Sequence, residues 1–331
     1  MHSFINFKLI ALVCVALVAR NVVAQSHEEG PKVDILARGK TRGAVTATDH
    51  RANIRVDTTL VPIPVAVTDP QSRFVTGLEK GDFRLYEDKV EQEITHFSSE
   101  DVPLSVGIVF DTSGSMDTKL GSSRQAVAQF MKTANPEDEF FLIEFSNRAN
   151  IAAEFTSMPQ EIQNRLTFTQ AKGATALLDG VYLAMNQMRK ARNARKAILI
   201  ISDGGDNSSR YTEREVKNAV READVQIYAI GIFEPPDSRI RTPEEAHGPE
   251  LLHELAEQTG GHAFAIGNLA ELPEAAAKIG IELRNQYILY YSPKNLRRDG
   301  KYRRVQVKLV KKAGLPPLMP VFRTGYFAPA Q

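Results

Sequence analysis

The stretch Leu104–Met116, LSVGIVFDTSGSM, constrains this chain more than any other. Its first seven residues are mostly apolar and include two valines and an isoleucine, the pattern of a strand buried on both faces. The strand ends at Asp111; Thr112, Ser113 and Ser115 follow, with Gly114 allowing a tight bend. A buried strand that ends in a carboxylate and three hydroxyls sets oxygen atoms at the rim of a sheet.

Downstream of Leu104 strands alternate with helices. SSRQAVAQFMKTA reads as a helix with Ala126, Val127, Phe130 and Met131 on one face, and EFFLIEF as the next strand, ending at Phe145. Ile151 to Thr156 suits an antiparallel edge strand, and Pro159 opens a helix to about Leu166. Gly173-Ala174-Thr175 opens another helix, with Leu178, Val181, Tyr182, Met185 and Met188 as its buried stripe. KAILIIS is a second strand buried on both faces and ends at Asp203. Thr212 and Glu215 form a capping box for a helix to about Ala223. VQIYAIGIF predicts a strand, Pro249 to Thr259 a helix stopped by Gly260-Gly261, HAFAI a short strand, and Leu272 to Leu283 a last helix.

The flanking segments, 53–100 and 285–331, are β in character. In IRVDTTLVPIPVAVTD apolar and polar residues alternate, but Pro62 and Pro64 donate nothing to a ladder, so this strand belongs at a sheet edge or bulge. Phe83 to Glu87 and Gln92 to Phe97 predict two more strands joined through Asp88-Lys89. Three strands do not close a sandwich. After Tyr287, YILYYS, YRRVQVKLV and VFRTGYF return to β, with Arg297 to Lys301 as a charged turn. These late strands are expected to complete the sheets begun by the early ones, leaving 103–284 as an insertion. Two independent β appendages are the alternative.

Near the start, Lys8 precedes the apolar run LIALVCVALVA, and Val22-Val23-Ala24 gives small residues for cleavage. Residues 1–24 read as a secretory signal cleaved near Ala24, with 25–52 as a polar, disordered tether. The run is about half the length a spanning helix needs, so no stable membrane span is expected in the mature form. Its placement implies a secreted or periplasmic protein. The one cysteine, Cys14, lies within this run, so the mature chain has neither a thiol nor a disulfide to rely on. Basic and acidic side chains number 41 and 40, a balance that gives no electrostatic argument for nucleic acid.

Strands separated by helices imply an open, mostly parallel, doubly wound sheet, where ligands bind beyond the carboxyl ends of strands at the reversal of winding. If the strands ending at Asp111 and Asp203 are the central neighbours, the two carboxylates emerge side by side. Thr175, at a helix start between them in sequence, can reach the same crevice. Asp111, Ser113, Ser115, Thr175 and Asp203 then offer oxygen alone, with two formal charges. That set suits Mg2+ or Mn2+, with Ca2+ less suited. Neutral hydroxyl ligands leave a cation much of its electrophilicity, and a carboxylate from a partner can replace one of its waters. Asp179 reads as a first-turn charge favoured by the helix dipole. Asp206 and Asn207 border the site or only its loop.

DTSGSM at Asp111 to Met116, GAT at Gly173 to Thr175 and ISDG at Ile201 to Gly204 together resemble the von Willebrand factor type A (VWA) domain and its metal-ion-dependent adhesion site. The resemblance covers roughly residues 103–282. It implies a six-stranded doubly wound sheet, direct metal ligation by Ser113, Ser115 and Thr175, and Asp111 and Asp203 acting largely through water and hydrogen bonds. The flanking LVPIPVAVTD, GDFRLYED and RTGYFAP resemble a secreted bacterial VWFA-related family. That likeness implies location and architecture, an α/β VWA domain inserted in or flanked by a small all-β domain.

The function expected is thus non-enzymatic: cell adhesion or protein–protein interaction through a partner's acidic side chain. One alternative is a structural or assembly module that binds through its β domain and keeps a vestigial metal site. Another is an aspartyl phosphatase, but that chemistry calls for a second Asp two residues after Asp111, where this chain has Ser113. No G-x-S-x-G elbow, H-E-x-x-H, P-loop or strand-following G-x-G-x-x-G is present, so hydrolase and nucleotide readings have no support.

Overall fold

All eight residues of β5 (Leu104–Asp111) are buried, and the computed structural model builds its largest layer around this strand. Residues 60–71, 73–233, 242–311 and 316–330 are described. The expected signal segment and tether, 1–24 and 25–52, lie outside them. The main sheet adds β6 (Glu139–Phe145), β7 (Ala149–Thr156), β8 (Arg195–Ser202), β9 (Gln226–Ile232) and β10 (Ala263–Ile266). Its order is β10-β9-β8-β5-β6-β7, parallel except for the edge strand β7. β5 and β8 are therefore central neighbours, in register from Leu104 opposite Arg195 to Phe110 opposite Ile201.

Helices cover both faces, as strands without a polar face require. On one side Val106, Ile108 and Phe110 pack with α1 (Leu120–Met131), α2 (Pro159–Thr167) and α6 (Leu272–Arg284). On the other, Val109, Ile198 and Ile200 pack with α3 (Leu177–Met188), α4 (Glu213–Glu222) and α5 (Pro243–Thr259). Among the described residues, no helix is long and apolar enough to cross a membrane.

Before β5 come β1 (Val61–Thr68), β2 (Phe83–Glu87), β3 (Val90–Gln92) and β4 (Ile94–Ser98). After α6 come β11 (Tyr287–Tyr291), β12 (Tyr302–Leu309), β13 (Met319–Phe322) and β14 (Gly325–Phe327). Early and late strands share two four-stranded sheets, β13-β1-β11-β4 and β14-β12-β2-β3, around one apolar cluster that includes Ile63, Phe83, Leu289 and Val307. The hydroxyls of Tyr291 and Tyr326 donate to Glu87 Oε2 at 2.7 and 2.8 Å, so a buried carboxylate on β2 links the two sheets.

Three details differ from the sequence reading, and the Asp88-Lys89 turn forms where it was expected. β1 lies inside its sheet, not at an edge. β13 joins it only from Val65 onward, so the half that carries Pro62 and Pro64 keeps one open side where a missing N–H breaks no ladder. The single strand expected over Gln92 to Phe97 is two strands in different sheets, and so is VFRTGYF. The chain crosses between layers at Glu93 and at Arg323-Thr324, and an alternating pattern does not reveal which sheet each half joins. Asp88 and Lys89 both take positive φ (46° and 70°), so this hairpin is made without glycine. Arg304 N donates to Asp88 Oδ1 at 3.0 Å, which helps hold the turn from β12. Finally, α5 starts at Pro243, not Pro249. Thr242 and Glu245 form a complete capping box there, and Pro249 is carried inside the helix.

That longer α5 bears on the loop after β8. Gly204 has φ +83°, and a Cβ there would lie 3.0 Å from Gly248 Cα of α5 and 2.9 Å from the Phe233 ring. Both the left-handed backbone and the close helix demand glycine. Gly204→Ala is expected to destabilise the protein by about 1–3 kcal/mol. Urea unfolding monitored by circular dichroism reads this; unchanged stability would show that the loop does not lean on α5.

Candidate metal centre

Because β5 and β8 run parallel and adjacent, their carboxyl ends open at the same rim. Asp111 ends β5 with no exposed surface, and Asp203 follows β8 at 8% exposure. Burying the Asp111 carboxylate costs several kcal/mol. Full burial of Val106, Ile108, Val109 and Phe110 contributes roughly 1.5–3 kcal/mol each, enough to carry that cost.

Donors fix the Asp111 carboxylate on both oxygens. Ser113 N donates to Oδ1 at 2.8 Å and Ser202 Oγ to Oδ2 at 2.6 Å. Ser202 Oγ in turn accepts from Gly204 N at 3.0 Å, so the last residue of β8 ties Asp111 to the Asp203 loop. Even so, burial first and the Asp203 charge second push the Asp111 carboxyl up to about 7.

Ser113 and Ser115 stand on a short turn that enters α1, their hydroxyl oxygens 3.1 Å apart. Ser113 is buried, while Ser115 is exposed. Two hydroxyls that face each other put adjacent oxygen lone pairs at the mouth of the crevice.

Thr175 reaches the same rim because two loops hold its segment. Gly114 N donates to Gly173 O at 2.9 Å and Lys172 N to Thr112 O at 2.8 Å, which joins this segment to the serine turn. Thr175 N donates to Asn207 Oδ1 at 2.9 Å, and Thr175 O accepts from Asn207 N and Ser208 N at 3.0 and 3.1 Å. Asp111 at the end of β5 and the other four residues, on three loops beside it, thus belong to segments that are hydrogen-bonded to one another.

The residues left open have definite roles. Asp206 Oδ2 accepts from Leu178 N at 2.8 Å and satisfies the start of α3, while Asn207 brackets Thr175. Asp179 is more than a first-turn charge. It is 4% exposed, and its oxygens accept from Arg210 N and Tyr211 N at 2.9 and 3.2 Å and from Arg210 Nε at 3.1 Å. It anchors the far end of the loop that begins at Asp203. The sequence reading missed Ser202, Asn147 and Lys119. Asn147 Oδ1 accepts from Ala174 N at 2.7 Å beside Thr175. Lys119 Nζ lies 3.0 Å from Asp203 Oδ2, with both side chains buried. Ser202 was visible inside the ISDG motif; nothing marks Lys119, since a lysine before a helix ordinarily reads as surface.

The donor chemistry fits a hard divalent cation in one respect and limits it in another. Among the described residues, no group of three or more His, Cys, Asp or Glu could hold a metal ion. A centre here therefore rests on hydroxyls plus two carboxylates, both already engaged by protein donors. Such a set suits Mg2+ or Mn2+ better than zinc, which takes nitrogen and sulfur.

Residues 106–205 match the family model of the von Willebrand factor type A domain, a span that includes all five candidate ligands. The heavy chain 4 of inter-alpha-trypsin inhibitor from Mus musculus is 29% identical over 147 residues, 39% of this chain and 16% of that protein. An uncharacterized protein of Borreliella burgdorferi is 22% identical over 182 residues, 49% of this chain and 53% of that protein. The chain thus spans about a sixth and about half of these two relatives. Among solved structures, a von Willebrand factor type A protein from Catenulispora acidiphila aligns with TM-score 0.47 and 15% identity, over 82% of this chain and 75% of that one.

The proton on Asp111 has a measurable consequence. Without a cation, the folded protein keeps this proton up to about pH 7, whereas the unfolded chain loses it near 3.8. Asp111 therefore makes stability fall as pH rises through that window. In chelator, Asp111→Asn, which cannot ionise, is expected to gain at least about 1 kcal/mol relative to wild type between pH 5 and pH 8. Urea unfolding at the two pH values measures it; a constant difference would refute the raised value.

Proposed function

This chain carries a von Willebrand factor type A domain, and on that premise we propose that it is a secreted, non-enzymatic protein-interaction module that engages a partner's carboxylate through a divalent cation. Domains of this type are generally interaction modules. The observation that carries the finer reading is the meeting of three loops at the carboxyl ends of β5 and β8. There Ser113, Ser115 and Thr175 offer neutral oxygens, and Asp111 and Asp203 the only acidic oxygens of the set.

Ser113, Ser115 and Thr175 would hold Mg2+ or Mn2+ directly, while Asp111 and Asp203 would act through water and hydrogen bonds. The bound ion would supply an electrophilic position open to an acidic side chain of the partner. Ser202 and Ser113 N keep the Asp111 oxygens oriented, so that carboxylate need not rearrange when it loses its proton. Asn207 and Asp206 keep Thr175 and the start of α3 in place without occupying a ligand position. The sequence pattern of residues 1–24 supports the secreted part of this reading.

Isothermal titration calorimetry with MgCl2 and MnCl2 tests the centre. Wild type is expected to bind one ion, and Asp111→Ala to lose at least tenfold in affinity. Since an ion displaces the Asp111 proton, binding is expected to weaken as pH falls below about 7. No binding by wild type, or equal binding by Asp111→Ala, would defeat the reading. Partner capture from the native envelope that survives EDTA would instead favour binding through the β domain.

A further inference from the structure

Lys119 is the one lysine the fold buries among the described residues, at 4% exposure. Two costs attend that position. An ammonium loses its hydration, and this one stands at the N-cap of α1, where unpaired backbone N–H groups already carry positive charge. A chain that needed only a surface cation there would leave it in water. Instead Lys119 Nζ lies 3.0 Å from Asp203 Oδ2, and that carboxylate is itself nearly closed off. The backbone holds the lysine in place: Ser123 N and Ser123 Oγ both donate to Lys119 O at 3.0 Å, within the first turn of α1.

Resting on the reading of the site as a divalent-ion centre, we propose that Lys119 is a resident cation of that centre which weakens its hold on the divalent ion. With both ionised, Asp111 and Asp203 bring two negative charges, and Lys119 returns one. Among the described residues, an arriving divalent ion therefore meets a net charge of minus one instead of minus two, and Asp203 is shared with the ammonium. Two properties follow. The fold keeps Asp203 paired when no ion is bound, and the loaded centre carries a net positive charge that an anionic group from a partner can balance.

Lys119→Gln removes the charge and keeps a side-chain N–H donor for Asp203; Lys119→Met removes both. Calorimetry with MgCl2 at pH 8 is expected to show Lys119→Gln binding at least tenfold tighter than wild type. Thermal melts in EDTA are expected to show both variants less stable than wild type, with saturating Mg2+ raising their melting temperatures by more than it raises wild type's. A variant that folds only with Mg2+ also supports the proposal, because the ion then replaces the missing charge. Equal or weaker Mg2+ binding by Lys119→Gln overturns it and makes Lys119 a positioning residue for Asp203. Failure of both variants to fold with or without Mg2+ overturns it too, since the ion pair is then structural. Absence of Mg2+ binding by wild type fails the centre itself, a result distinct from a wild type that binds and a variant that binds no better.

Discussion

The structure depends on a like-charge problem at one end of a sheet. Parallel pairing of β5 with β8 brings two carboxylates to the same rim, and the apolar faces on either side deny them water. In a low-dielectric setting such a pair does not stay ionised without help. The help comes from protein donors: Ser113 N and Ser202 Oγ for Asp111, and the Lys119 ammonium for Asp203. The donors come from two segments, the β5–α1 connection and the end of β8, so the loops around the rim are organised by what the carboxylates need. Burial and the Asp203 charge still push the Asp111 carboxyl up to about 7.

The same requirement explains the dense hydrogen bonding just outside the rim. Asp179, Asp206 and Asn207 each spend their side chains on backbone N–H groups of neighbouring segments. These bonds fix the shape of the loops around the rim. Gly204 serves the same end sterically, letting α5 close on the loop that begins at Asp203. At the other end of the main sheet, α6 runs directly into β11, so the β layers are attached to the frame far from the rim.

Much of this was legible because the signals were local. Buried strands announce themselves by unbroken apolar runs, as in β5, β8 and β9, and helix starts by caps, as at Thr212. Errors arose where a local signal competed with a stronger one nearby: Pro249 drew the start of α5 away from the capping box at Thr242. They also arose where a choice had no local trace. The division of Gln92 to Phe97 and of VFRTGYF between two sheets depends on strands nearly two hundred residues or more away, such as β11 for β4. Likewise β1 tolerates Pro62 and Pro64 because β13 is short, a fact that lies outside β1 itself.

By itself the sequence determined the periodicities, the order of strands and helices, and which oxygen-bearing residues end β5, precede α3 and follow β8. Those are properties of short stretches, set by burial and backbone chemistry. Tertiary structure alone decided the electrostatics of the rim. Lys119 and Asp203 are separated by 84 positions, and nothing in either neighbourhood marks them as a buried pair. Asp179, in the first turn of its helix, faces Arg210 and Tyr211 instead of water because the loop after β8 folds back over it. Charge interactions act through space and depend on what excludes solvent, so they are fixed only when the layers close.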